Sequence, residues 1–115
     1  MMLYYVSSTL SVGFRAAKRA VVTALREMDF QHEAREVFSE KNLLAIGDIG
    51  AEDVAKLILR TMAADYTESP HHADRAVVVH TFRPTVNQKR WYIKVYFLDE
   101  VEGTATFISV HRAGS

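Results

Sequence analysis

The 115-residue chain contains no cysteine. That excludes a disulfide scaffold and a thiolate metal centre, and it suits a reducing cytosol. Lysine and arginine (14) exactly balance aspartate and glutamate (14). A net charge of zero gives no global pull toward nucleic acid or an anionic membrane. No apolar run approaches the roughly 20 residues that a membrane-spanning helix requires. The N-terminal "MMLYYVSSTLSVGF" lacks the positive start of a signal peptide, since charge arrives only at Arg15. Proline occurs only at 70 and 84. The two bracket one segment and mark no domain boundary. No repeat or low-complexity tract interrupts the chain.

What is present is enough for one core. Hydrophobic residues make up 49% and charged residues 24%, so residues 1–115 are expected to form one domain. Phe14, Ala17, Val21, Leu25 and Met28 recur at helical spacing, with Ser11 placed to cap them. They predict a helix over about 12–28. Met2–Val6 reads as a short strand or an arm, and residues 30–46 fit a strand, a short helix, or both in turn. Val54, Leu57, Ile58, Thr61 and Met62 give a second helical face, with Glu52 and Asp53 favourably placed in the first turn. This helix is expected over 51–64, followed by a polar loop, "DYTESPHHAD". Three strand patterns follow: "RAVVVHTFRP", "NQKRWYIKVYFLD" and "TATFISVHR". Residues 100–103 suit a hairpin connection between the last two. The order predicts an α+β fold, with N-terminal helices packed on a C-terminal antiparallel sheet.

Within "WYIKVYF", Trp91, Ile93, Val95 and Phe97 form the apolar set, with Ile108 and Val110 as their apolar match on the next strand. Matching these faces fixes parity. Closing the short loop sets Ile93 opposite Val110, Tyr92 opposite His111 and Lys94 opposite Ser109. Opposed side chains lie about 5 Å apart at Cβ. The hairpin alone therefore gathers an acid/base group, a cation and two hydroxyls on its second face. The neighbourhood is locally basic. Arg75, Arg83, Lys89, Arg90 and Lys94 face a single acid, Asp74, between residues 70 and 98. Such a patch suits a phosphate backbone. Trp91, Tyr92 and Tyr96 offer stacking surfaces for unpaired bases if exposed, although Trp91 also suits the core. His71 and His72 are adjacent, which is poor spacing for a metal centre completed by His80 and Asp74, so no metal site is assigned.

The order "IGAEDVAKLILRTMAADYTES", "HTFRP", "YIKVYF", "FISVH" resembles the MqsR family of toxins from bacterial toxin–antitoxin pairs. The matching positions are Asp65, Tyr66, Ser69, Phe82, Arg83, Pro84, Tyr92, Lys94, Ser109 and His111, over about the last two-thirds of the chain. The resemblance implies a RelE-like fold and cleavage of single-stranded mRNA without a metal or other cofactor. It also implies a neutralising, DNA-binding antitoxin encoded nearby and a cytoplasmic location. The family's strand tyrosine falls at Tyr92 and its C-terminal lysine at His111. Its loop lysine is Glu68 here, and the glutamine before the aromatic-Arg-Pro turn is Val79.

Such a nuclease needs a base on the RNA 2′-hydroxyl, an acid at the leaving 5′-oxygen and cations on the phosphorane. His111 suits acid or base work. Tyr92 is assigned to phosphate positioning or proton transfer, and Lys94 and Arg83 to the developing charge. His80 is a second acid/base candidate whose face depends on strand parity. Lys89, Arg90, Ser109 and Arg112 complete the expected RNA contacts. The rival reading is a non-catalytic binding module of the same fold, favoured by Glu68 and Val79. A third is a small structural protein without RNA contacts.

Overall fold

A computed structural model describes residues 2–33, 41–98 and 103–113, with side chains from residue 13 onward. Helix α1 spans Met2–Arg26, strand β1 Phe30–His32 and helix α2 Ala51–Leu59. A single 3-10 turn, Ala63–Asp65, leads into β2, Tyr66–Pro70. Strands β3 (Val78–Phe82), β4 (Thr85–Val86), β5 (Lys89–Phe97) and β6 (Ala105–Arg112) follow.

Ala17, Val21, Ala24 and Leu25 recur every three or four residues along α1 and are buried. Val54, Ala55, Leu57 and Ile58 of α2 are buried with them, against Phe82, Ile93, Val95, Phe107 and Val110 of the sheet. Each such large apolar side chain contributes about 1.5–3 kcal/mol by leaving water. Helix α1 ends in a Schellman arrangement: Asp29 N–H donates to the Ala24 carbonyl (2.8 Å) and Met28 N–H to the Leu25 carbonyl (3.2 Å). Met28 there takes a left-handed φ of 58°. At the start of α2 the Asp53 carboxylate accepts the Gly50 N–H at 3.4 Å.

The sheet order is β1-β6-β5-β3-β2, with β4 paired to β5. Strands β3, β5 and β6 form the expected antiparallel set, which β2 extends at the β3 edge. The first strand departs from it: β1 lies parallel to β6, pairing Phe30 with Ala105 and His32 with Phe107, so the sheet is mixed. Lys41–Leu43 then continue along the same edge, through hydrogen bonds with both backbone groups of Val110.

Three other elements differ from the sequence reading. Helix α1 runs through Met2–Val6 and Ser11, where an arm and a cap are expected. Helix α2 stops at Leu59 instead of 64, because i→i+3 bonds from Arg60 and Thr61 tighten its end and the buried Thr61 hydroxyl donates to the Leu57 carbonyl. The stretch expected as a loop from Asp65 is strand β2, paired from Tyr66↔Phe82 to Pro70↔Val78. Of the 30–46 segment, residues 34–40 lie outside the described residues, as do 99–102 of the last hairpin connection.

Candidate active site

The register between β5 and β6 pairs Tyr92 with His111, Ile93 with Val110 and Lys94 with Ser109. It shifts between Lys94 and Val95, where a bulge leaves Ile108 without a partner across the ladder. The bulge has a simple cause. Val110 and Phe107 are three residues apart, yet both are fully buried beneath the helices. One extra residue must be absorbed, and Ile108 is turned to the other face, where it packs with Val79 and Tyr96.

On the β3 side, Phe82 pairs with Ile93, Trp91 N–H donates to the Pro84 carbonyl (2.8 Å) and Thr85 pairs with Arg90. The same register therefore runs through the turn, and Arg83 stands opposite Tyr92. Phe82 and Pro84 on either side of it are fully buried, which leaves Arg83 to the face away from the helices. A row Arg83–Tyr92–His111 thus crosses the sheet, flanked by the row Thr81–Lys94–Ser109.

The Tyr92 and His111 rings lie 5.3 Å apart at a tilt of 43°. The Lys94 ammonium sits 5.9 Å from the Tyr92 ring centroid, a cation–π contact. Tyr92, Lys94, Ser109, His111 and Arg83 are all partly exposed. Nδ1 of His111 lies 3.0 Å from the Arg112 carbonyl. A carbonyl only accepts, so Nδ1 carries the hydrogen and Nε2 of the neutral ring is left as the proton acceptor. Arg90 belongs to the same face by alternation, with its guanidinium 3.6 Å from the Asp65 carboxylate.

Three of the expected site residues fall on the helix side. Arg112 pairs with Trp91, and its guanidinium stacks 5.3 Å from that indole. Lys89 pairs with Val86, which packs against the main core. His80 pairs with Val95, because Val79 and Thr81 face away from the helices. His80 and Glu68 meet at Tyr66, whose hydroxyl lies 2.7 Å from both His80 Nδ1 and Glu68 Oε2. A phenol has one proton. With that proton donated to Glu68, the His80 Nδ1–H donates to the phenol oxygen. Burial, and then Glu68, push the Tyr66 phenol well above its ordinary pKa. Burial lowers that of His80, against the opposing pull of Glu68. This cluster is invisible to sequence reading that takes Tyr66–Pro70 as a loop. As a strand, its alternation would have put Tyr66 and Glu68 beside His80.

A second cluster missed in the sequence lies on the outer face, beyond the Tyr92 row. His71 Nε2 contacts Glu33 at 2.6 Å, and the Ala73 N–H donates to His71 Nδ1 at 3.0 Å. Tyr96 donates to the same Glu33 oxygen at 3.2 Å. Burial, then Glu33, raise the Tyr96 pKa. Both imidazole nitrogens are occupied, so this His71 serves to tie β1 to the β2–β3 connection. Among the described residues no group of histidines and carboxylates could hold a metal ion, and no helix is long and apolar enough to cross a membrane. Comparison with protein-family models, curated proteins and solved structures gives no match.

Proposed function

We propose that the chain is an endoribonuclease of the MqsR-like, RelE-superfamily kind, a cytoplasmic toxin that cuts single-stranded mRNA and is neutralised by an antitoxin encoded beside it. The observation that carries this reading is the imidazole of His111 lying against the Tyr92 phenol, with Lys94 beside it, on the partly exposed face of the sheet.

In this mechanism Nε2 of His111 takes the proton of the RNA 2′-hydroxyl. The 2′-oxygen forms its bond to phosphorus as the bond from phosphorus to the 5′-oxygen breaks. Lys94 and Arg83 neutralise the charge that gathers on the phosphorane oxygens. The 5′-oxygen leaves with the proton of the Tyr92 hydroxyl, and the imidazolium then gives its proton to the resulting phenolate. The products are a 2′,3′-cyclic phosphate and a 5′-hydroxyl end. These steps use only groups of the chain and the RNA, and call on no metal.

The test is incubation of purified protein with an end-labelled single-stranded RNA. Wild type is expected to give cyclic-phosphate ends. His111→Ala should lose about 10²–10⁴ in rate, the usual contribution of a positioned acid or base. Equal cleavage by both proteins refutes the assignment of His111. The non-catalytic module draws support from Glu68, engaged by Tyr66 on the helix side, and from Val79, buried against Tyr96 and Ile108. RNA binding without any cleavage would establish that reading instead.

A further inference from the structure

The β4–β5 turn is built from unusual residues. Thr85 pairs with Arg90 and Val86 with Lys89, so Asn87 and Gln88 alone make the turn, at φ of 54° and 66°. Two central residues at positive φ define the type I′ pattern, whose second position ordinarily holds glycine. Asparagine tolerates this conformation, whereas glutamine gains nothing from it. Residues 87–90 are all exposed, so Gln88 adds nothing to the core. The tip runs beyond the end of β2, and Arg90 lies two residues from Tyr92 on the same face, about 7 Å along the strand. Its guanidinium is held toward that face beside Asp65.

We propose that this hairpin tip is a base-reading prong of the same site. The inference rests on the ribonuclease reading above and adds the recognition of substrate to it. Arg90 neutralises a phosphate next to the scissile one. The Gln88 carboxamide, which both donates and accepts, hydrogen-bonds the edge of the neighbouring unpaired base, with Asn87 beside it. Side-chain amides pair with base edges in this way, most completely with adenine. Only unpaired RNA offers such an edge to a side chain. The substrate class is therefore a single strand extending past the scissile linkage, in preference to a dinucleotide.

Gln88→Gly tests this without the ambiguity of a misfolded variant, because glycine relaxes the turn. Its Tm should rise by about 2–5 °C. Its KM for a single-stranded oligonucleotide should rise about fivefold or more, with kcat within about twofold and dinucleotide cleavage unchanged. Arg90→Gln should lower the slope of log binding constant against log salt by about one. If wild type cuts RNA and Gln88→Gly leaves KM unchanged, the prong is refuted and the nuclease stands. A lower Tm in Gln88→Gly also overturns it, since the side chain would then serve the turn. If wild type neither binds nor cuts RNA, the nuclease reading falls and the prong with it.

Discussion

At Gly13 helix α1 comes within reach of Glu68 on strand β2, and the energetics of that approach can be worked out. A Cβ added at Gly13 would lie 2.9 Å from Oε2 of Glu68. That oxygen also accepts the Tyr66 hydroxyl at 2.7 Å. Glu68 is exposed, so its carboxylate can move aside, but only by giving up this bond. Gly13→Ala in a helix interior gains about 1 kcal/mol of helix propensity. Losing a hydrogen bond to a partly solvated carboxylate costs about 1 kcal/mol. The single substitution should therefore change stability by less than about 0.5 kcal/mol, the two effects offsetting each other. In a Glu68→Ala background no oxygen is there to displace, and Gly13→Ala should give its full gain of about 1 kcal/mol. The coupling is then about 1 kcal/mol, well above the 0.3–0.5 kcal/mol within which distant sites add. Urea unfolding of the four proteins at pH 7 measures it, provided the slopes agree. An equal gain from Gly13→Ala in both backgrounds would refute the contact between helix and strand.

Met28 holds a left-handed φ of 58° at the end of α1 while 69% exposed. Glycine there removes a strain of about 1–2 kcal/mol and returns part of it through unfolded-state entropy. Met28→Gly should stabilise by about 0.5–1 kcal/mol in chemical unfolding, whereas Met28→Ala, which keeps the strain, should not. The pH profile of stability should fall on both sides. Burial holds the folded pKa of His32 and His80 below the ordinary value near 6.5. The unfolded chain then binds more protons, so stability declines as pH falls below about 6.5. Tyr66 and Tyr96 have folded pKa values raised above 10.0, so their contribution is complete below that pH and is lost as pH rises through the folded values. Thermal melts from pH 4 to 11 check both limbs. His80→Gln should flatten the acid limb and Tyr66→Phe the alkaline one, and unchanged limbs would contradict the burial of these groups.

The best-read part of the sequence was the last hairpin. Its register follows from burying Ile93 and Val110 on one face, and the structure pairs those two residues. The bulge was not legible in the same stretch. Phe107, Ile108 and Val110 are all apolar, and no local rule says which two share a face. Only the competing demand of Val79 and Tyr96 for an apolar neighbour resolves it. Strand β2 escaped because an edge strand need bury little: every residue after Tyr66 is exposed, so it shows no apolar alternation and reads as a turn-rich loop. Strand β1 is three residues long, and its parallel pairing with β6 joins residues about 75 apart in the chain, beyond the reach of local pattern. Met2–Val6 reads as a short strand or an arm because Tyr4, Tyr5 and Val6 favour extended structure intrinsically. The helix continues through them without a break.

The candidate site depends on the same parity. Tyr92, Lys94, Ser109 and His111 could be grouped from the sequence because they belong to one hairpin, and a hairpin carries its own register. Arg83 joins them only because the β4–β5 pairing resumes, beyond Arg83 and Pro84, in the register of β3–β5. The remaining candidates were chosen by residue type and nearness in sequence, which say nothing about face. His80, Lys89 and Arg112 each lie one residue off the site's alternation, and that one step carries them to the helix side. There the imidazole and the guanidinium serve the packing, the first through Tyr66 and the second over Trp91. Both described helices cover a single side of the sheet, so the same step that buries one set of polar groups leaves the other within reach of a ligand. A basic stretch of sequence thus becomes a basic face only in so far as its charges share one parity. Here Arg83, Arg90 and Lys94 do, with Tyr92 and His111 between them.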